Sequence, residues 1–395
     1  MTRFLIFLFP GMMDMVVGSV LFVCSIRMAD SGASATAVAG ITVVWAITYM
    51  VVCQFVGHLV TPRNAAWMLV GSSLAMVGVA CAFILVPHLE AMYAVVMLQG
   101  IATSFFFVPF QIFMKTVERD RIRGLARSTA LYTFSWSTGL ACGPFVSGYI
   151  LDAAGWQWCH GLNVLLGAAT AMGILCLRHH AHHRTSTPAE APDADDRLKA
   201  PRDYSNMPDL AWLAWLCAGM GCLTAALIRG LFPATGETFG IPVVRRGTIL
   251  ALLSGTQALV GLSLLRSRTW MYRQMPVAMF GLLGFTGLLL FGGARHSLAF
   301  YGAAVCFGVY SGSFYFYFVF HSLVHPSRSA RYLAINESVV GITSIIGPAG
   351  GGLLADHLTP STPYFAAAVL VAGAVILQVA VHRRHAGAVR KALAI

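Results

Sequence analysis

Charge is what this chain has least of. Only 10% of its 395 residues are Asp, Glu, Lys or Arg, against about 25% in an ordinary soluble domain. Hydrophobic residues make up 57%, and the mean hydropathy is +0.73. A water-soluble fold of this length has nowhere to hide so much apolar surface. Stretches without any charge, such as 67–87, 212–228 and 297–320, approach or exceed the ~18–20 residues that one helix needs to cross the hydrocarbon core. Other absences narrow the function. No GxxxxGK[ST] loop is present to cradle phosphates, which disfavours ATP-driven transport. HExxH is missing and GxSxG does not occur in a strand-turn-helix setting, so an enzyme reading has no residues to stand on. The nine cysteines include no CxxC pair, and eight lie inside apolar segments, where they read as small core hydrophobes and not as a disulfide framework or metal set. No cofactor is implied.

The formal charge of +11 raises the question of nucleic acid. That partner needs basic residues gathered on one water-facing surface, whereas here they are scattered through short loops between apolar runs. The chain is an all-α polytopic membrane protein whose main partner is the bilayer. Hydropathy places twelve spans at 4–26, 36–59, 66–86, 92–114, 128–151, 159–177, 210–229, 247–265, 275–293, 297–321, 332–355 and 362–382. The first follows Arg3 in the manner of a signal peptide, but it is longer than a usual apolar signal core and contains Pro10 and Asp14, so it reads as span one. Six spans fall in 1–177 and six in 210–395. The segment 178–209 between them is rich in Pro, Asp, His and Arg, has no apolar period and reads as a water-exposed linker. With the N-terminus inside, 21 of the 26 basic residues fall in cytoplasmic segments, leaving Arg27, Arg229, Arg245, Arg246 and Arg295 outside. Both termini are therefore expected in the cytoplasm of a cell membrane, inner or plasma.

One phrase is written twice. GPFVSGYILD at 143–152 returns as GPAGGGLLAD at 347–356, and Ala126-Arg127 and Ala130-Leu131 precede the first copy at the same offset as Ala330-Arg331 and Ala334-Ile335 precede the second. The copies close spans five and eleven. Ile26-Arg27 likewise ends span one as Ile228-Arg229 ends span seven. Two six-helix halves that start on the same side form a parallel repeat about an axis along the membrane normal.

Two six-span halves joined by a cytoplasmic linker resemble the major facilitator superfamily over essentially the whole chain. Gly139, Gly143, Pro144, Ser147 and Gly148 match the G-x-x-x-G-P-x-x-[GS]-G phrase of many proton-coupled exporters in that family, and Gly347, Pro348, Gly351 and Gly352 echo it in span eleven. The family's G-x-x-x-D-R-x-G-R-R signature between spans two and three is altered here to GHLVTPRNAA. Gly57 remains, Thr61 stands at the acidic position and Arg63 is displaced by one place, so closed states must be stabilised by other means. The resemblance implies a secondary transporter working by alternating access, with spans one, four, seven and ten lining the cavity. It points to proton-coupled efflux of an amphipathic small molecule by a monomer. Uptake of an anionic metabolite, favoured by Arg229 and an outer loop holding Arg245 and Arg246, stays open, as does a non-transporting sensor or assembly protein of the same fold.

Of fifteen acidic residues, only Asp14 and Glu337 sit well inside spans. A carboxylate there costs ~2.5–3.5 kcal/mol on insertion scales, so it usually faces water or a partner. Asp14 is expected near the midplane, titrating in coupling, binding a cationic group, or hydrogen-bonding a neighbouring helix. Glu337 either carries a proton or pairs with a basic residue of the other half. Arg229 is a candidate anion contact or a snorkelling arginine like Arg27. On span ten, Tyr310, Phe314 and Tyr317 form one helical face suited to an aromatic ligand. Gln111 and Asn336, with Gln54, Gln99 and Gln257, are substrate contacts or helix-to-helix hydrogen bonds. His179, His180, His182 and His183 are stop-transfer residues or adventitious metal ligands, and no metal site is assigned. Pro144 and Pro348 are expected to bend spans five and eleven. Gly139, Gly143, Gly148, Gly347, Gly351 and Gly352 let other helices close in at the contact between halves. Asp152 and Asp356 end the two phrases as solvated caps.

Overall fold

The computed structural model describes residues 6–86, 88–117, 122–182, 207–264, 269–323 and 329–393. Twelve helices occupy them: α1 Leu8–Asp30, α2 Ala35–Leu59, α3 Ala65–Leu85, α4 Leu89–Val117, α5 Ile122–Ala154, α6 Trp156–His182, α7 Ala211–Thr238, α8 Val243–Leu264, α9 Gln274–Gly293, α10 Ser297–Leu323, α11 Ser329–His357 and α12 Thr362–Leu393. Helix is the expected choice where lipid offers the backbone no hydrogen bonds, and among the described residues there is no strand. Eleven helices are long and apolar enough to cross a bilayer. The other, α5, is 33 residues long, which rises ~50 Å; its Gly, Ser and Thr lower its hydropathy. The linker expected at 178–209 lies between 183 and 206 outside the described residues. So do Arg3, Arg119, Arg121, His183, Arg184, Arg197, Lys199, Arg202, Arg266, Arg268 and Arg328.

The repeat read from the sequence reappears in the packing. Between the halves, α5 lies on α8 and α2 on α11, while α1 meets α7. One apolar cluster runs through both halves, joining Phe22, Val23 and Ile26 of α1 to Ile228, Leu231 and Phe232 of α7. It lies at the end where Gly32 and Gly240, with φ of 78° and 69°, turn the chain after α1 and α7 in a conformation that glycine adopts without strain. At the opposite, linker-bearing end the clusters are separate: Phe7, Phe110 and Met114 belong to one, and Leu213, Met271 and Val381 to another. The halves are thus sealed at one end and joined by no common apolar cluster at the other, among the described residues.

The glycine-proline phrases sit on helices with two working faces. On α5, a Cβ at Gly139 would overlap the backbone of Gly11 and Met15, and one at Gly143 the backbone of Met15 and Ser19. Both therefore face α1 of their own half. Gly148 instead meets Val243 and Val244 of α8, and the Pro144 carbonyl meets Gly247. On α11, Gly347 and Gly351 face Leu223, Leu227 and Leu231 of α7, while Gly352 meets Ala35 and Thr36 of α2. The expectation that all six glycines serve the contact between halves therefore needs correction: only Gly148 and Gly352 do. An i, i+4 spacing puts Gly139 and Gly143 on one stripe, and the next glycine, five residues on, falls off it. Pro144 and Pro348 lie within helices that continue through them.

Two boundaries moved, and both moves matter. Hydropathy ended span seven at Arg229, but α7 continues to Thr238 through Pro233. Arg245 and Arg246, expected in a loop, begin α8. Arg246 is buried, donates from Nη1 to the Pro233 carbonyl at 2.6 Å and lies 3.7 Å from Glu237, while Arg245 donates to Ser297 Oγ at 3.1 Å.

Asp356 is exposed, as a solvated cap should be, yet its carboxylate accepts from the backbone N–H groups of Ala35 at 2.7 Å and Thr36 at 2.9 Å. It thus caps α2 across the two halves, where free donors and the helix dipole both favour an anion. Asp152, its repeat partner, makes no such bond among the described residues. The site facing it has Pro242 immediately before α8 where α2 has Ser34, and proline has no N–H to give. Asp356→Ala should remove about 1 kcal/mol, so the amides of Ala35 and Thr36 should exchange hydrogen about fivefold faster by mass spectrometry. Unchanged exchange would mean the clamp is not held in solution.

Candidate functional site

Between the halves a polar network crosses the bundle. Asp14 on α1 is 8% exposed and feels the field of the Arg229 guanidinium on α7. Arg229 Nη2 donates to Gln257 Oε1 on α8 at 2.8 Å. The same oxygen accepts from Ser311 Oγ on α10 at 2.8 Å, and Gln257 Nε2 donates to Ser137 Oγ on α5 at 3.2 Å. The Tyr315 phenol lies close enough to Arg229 and Cys222 to feel both. The Tyr315 ring meets Trp136 of the other half edge-on, with centroids 5.9 Å apart. In so dry a setting, polar groups persist only as a connected set. Five helices are tied here: α1 and α5 from one half, α7, α8 and α10 from the other. Neither Asp14 nor Arg229 forms an ion pair within 4 Å among the described residues.

Glu337 on α11 makes no hydrogen bond to this network among the described residues, though its field reaches Cys222. One turn along, Gly341 packs on Met50 of α2, so the stripe they share faces the other half. The Glu337 carboxylate acts electrostatically on Tyr49 and Cys53 of α2 and on Tyr132 of α5. Asp14 acts on Tyr132 as well.

The remaining candidates divide cleanly. Gln111 is exposed and lies near Tyr132. Asn336, 4% exposed, accepts from Trp215 Nε1 at 2.9 Å and Ser322 Oγ at 2.8 Å, tying α7, α10 and α11 together. Tyr310, Phe314 and Tyr317 do not form a cavity wall. Tyr310 packs on Gly284 of α9, Phe314 on Gly221 of α7, and the Tyr317 hydroxyl is 3.0 Å from His382 Nε2 in the core of the second half. The face of α10 that looks between the halves is the Ser311–Tyr315 face, about 100° around the helix. Sequence reasoning missed Tyr315, Ser311, Ser137, Trp136, Tyr49 and Tyr132. Ser311 and Tyr315 are spaced i, i+4, a signal hidden by the aromatic run around them. The altered loop signature also has a local use: Thr61 N–H donates to Asn64 Oδ1 at 2.7 Å and Asn64 N–H to Thr61 Oγ1 at 3.3 Å, a reciprocal bond that builds the turn into α3.

The sequence profile described as Major Facilitator Superfamily matches residues 4–325. The chain belongs to the Major Facilitator Superfamily. Among curated relatives, the MFS-type transporter poxA of Penicillium oxalicum is 27% identical over 239 residues, covering 60% of this chain and 38% of that protein. The MFS thioclapurine efflux transporter tcpA of Claviceps purpurea is 31% identical over 112 residues, covering 28% of this chain and 17% of that protein. The chain thus spans well under half the length of these relatives. Among solved structures, a bacterial homologue of the human lysosomal transporter Spinster, in an inward-facing and unoccupied conformation, superposes with a TM-score of 0.71 at 11% identity, covering 98% of this chain and 97% of that one. The nucleoside transporter NupG gives 0.65 at 12% identity, covering 95% and 98%. At such identities the likeness shows the superfamily fold alone. It agrees with a multi-pass membrane protein.

Proposed function

We propose that this chain is a secondary active transporter that works by alternating access and exports an amphipathic small molecule in exchange for protons. The observation that carries this reading is the polar network: one acid, one base and one amide lie midway between the two halves, while among the described residues one end of the bundle has an apolar cluster common to both halves and the other does not. Rocking the halves must break or remake Gln257–Ser137 and Tyr315–Trp136, so whatever changes the charge there changes the balance between the two openings. A proton on Asp14 would remove its pull on Arg229. Between unit charges several ångströms apart at an effective dielectric near 20, that pull is worth on the order of 2 kcal/mol. The G-x-x-x-G-P phrase of α5 and the efflux function of the Claviceps purpurea relative favour export. The termini, and the linker-bearing end with its lysines and arginines, are placed in the cytoplasm by the positive-inside rule. Of the five basic residues left over, Arg27, Arg229, Arg245 and Arg246 lie within helices, which sharpens that asymmetry. Anion uptake is the weaker alternative, because Arg246 is committed to Pro233 and Glu237 and Arg229 to Gln257.

In everted vesicles carrying the full chain, a pH gradient should drive accumulation of amphipathic dyes, tested with ethidium and with uncharged dyes. Asp14→Asn should lose at least tenfold of the gradient-driven flux while keeping substrate counterflow, which moves no net proton. Full gradient dependence in Asp14→Asn would sink the coupling role.

A further inference from the structure

On the outer side of the first half, α3 carries glycines that no side chain of the protein fills. A Cβ added at Gly71 or Gly78 would meet no atom within 4 Å, and both glycines are exposed, as is Ala75 between them. The glycines of α9, the third helix of the second half, are used within the protein: Gly281 receives Val375 of α12, while Gly284 and Gly287 receive Tyr310 and Phe307 of α10. Glycine weakens a helix, and its use in lipid is to let a neighbour close in. On α3 that place is left to a molecule from outside the chain.

The two glycines open onto a groove of about 510 Å³ between α3 and α4. Buried Ser72 and Ala102 form its floor, where Ser72 Oγ donates to the Ala102 carbonyl at 2.7 Å. Met68, Leu98, Ile101 and Phe105 line its sides. From Met68 to Ala82 the groove follows α3 for about 21 Å at 1.5 Å per residue, more than the ~15 Å that one leaflet gives to the hydrocarbon core. At the linker-bearing end, one turn before Gly71 on the same stripe, stands Trp67. It is 53% exposed, and the Arg178 guanidinium of α6 lies over its ring, 3.9 Å from the centre. Stacking holds the guanidinium by its face and leaves its in-plane N–H groups to donate, and Arg178 has no acidic partner among the described residues.

We infer that the α3–α4 groove, with Arg178 and Trp67 at its mouth, is a binding site for one anionic phospholipid, its phosphate on the guanidinium and one acyl tail laid along Gly71, Ala75 and Gly78. An apolar trough that ends in a free cation fits a molecule with a tail and a negative head, and arginine binds phosphate with a planar pair of donors. A second copy of the chain fits worse. Copies in one membrane share an orientation, so pairing through α3 would bring two Arg178 side chains together at the same depth. The Ser72–Ala102 bond fixes α3 against α4 before a lipid arrives, so little ordering cost accompanies binding. The site lies on three helices outside the polar network and holds whether or not the chain moves a substrate.

The test uses the purified full chain in phosphatidylcholine nanodiscs doped with phosphatidylglycerol that carries a photoactivatable diazirine in one tail. After irradiation, labelled residues are mapped by mass spectrometry. Labelling within 68–82 and 98–105 should exceed that of 274–293 on α9 several-fold, although α9 exposes Met275, Met279 and Leu282 to the same lipid. Phosphatidylcholine with the same labelled tail should mark the groove about fivefold less, the usual weight of one arginine beside an anionic lipid. Arg178→Gln should erase that headgroup preference, and Arg178→Lys should keep part of it. Gly71→Leu combined with Gly78→Leu should fill the groove and remove labelling at 98–105 for either headgroup. Its elution on size exclusion should match wild type, because neither added Cβ meets an atom. Labelling spread evenly over α3, α4 and α9 overturns the site, as does groove labelling that persists in the double-leucine protein. Displacement of the label by inorganic phosphate would reduce the site to a free-anion contact, and a photo-crosslinked dimer lost in Gly71→Leu would give the groove to a second copy; either result overturns the lipid assignment.

Discussion

Gly139→Leu should all but eliminate recoverable folded protein. A Cβ at this position falls onto the Gly11 carbonyl and the Met15 amide of α1, and a backbone has no rotamer with which to step aside. Overpacking a close contact typically costs 1–3 kcal/mol and sometimes more. Here about 3 kcal/mol or more is expected, because small residues, and not a hydrophobic drive, hold helices together in lipid. Gly143→Leu should behave alike, since it meets Met15 and Ser19. The readout is the monodisperse fraction on size exclusion together with the thermal melt. Gly57→Ala is the control: nothing lies within 4 Å of its added methyl, and alanine is the better helix former. A Gly139→Leu protein with a normal elution profile and melt would mean α1 and α5 are not in close contact.

That prediction differs from what the sequence alone suggests, and the difference shows where sequence reasoning stops. The two-half repeat, the twelve helices and the family could be read from charge scarcity, hydropathy and the doubled phrase, because bilayer thickness fixes span length and each half repeats the same packing problem. Which way a glycine points depends on its helix's rotation, and hydropathy does not encode rotation. Gly139 and Gly148 belong to one motif, yet one closes a half and the other meets its neighbour.

The candidate site was legible to the same degree. Asp14, Glu337 and Arg229 stood out because charge is expensive in lipid, and all three lie between the halves. Hydropathy ends span seven at Arg229 because charge is costly in lipid, whereas the bond to Gln257 lets α7 carry it inward. On α10 the aromatic run offered several equivalent faces. The chosen one, Tyr310–Phe314–Tyr317, packs on Gly221, Gly284 and His382 of its own half, whereas Tyr315 turns to Trp136. Glycines on the neighbouring helices decide that outcome: Gly284 and Gly221 leave hollows that Tyr310 and Phe314 fill. Gaps on other helices are invisible from the helix that fills them.

Gly247→Leu should do the reverse of Gly139→Leu, folding close to wild type but losing more than tenfold of gradient-driven flux. Gly247 meets the Pro144 carbonyl where α8 crosses α5, a contact between the halves that opening the sealed end would have to part. Each half keeps its own core, so yield and melt should shift little. A leucine wedge costing about 1–3 kcal/mol in the sealed state alone would change its population by roughly five- to a hundredfold, because a ligand or mutation shifts an equilibrium only by its difference between states. Alternating access requires both states in each cycle, so flux should fall while counterflow retains its substrate order. Gly352→Leu, against Thr36 on the mirrored α2–α11 contact, should add to the loss, and Asp356→Ala should aggravate it because it removes the clamp beside the same contact. Labels at the exposed positions Asp152 and Arg295, with Cys176, the one fully exposed cysteine among the described residues, replaced, should report a wider sealed end in Gly247→Leu. A wild-type label distance together with lost flux would place the defect in the chemistry of the chamber, and the α5–α8 contact would then not be the gate.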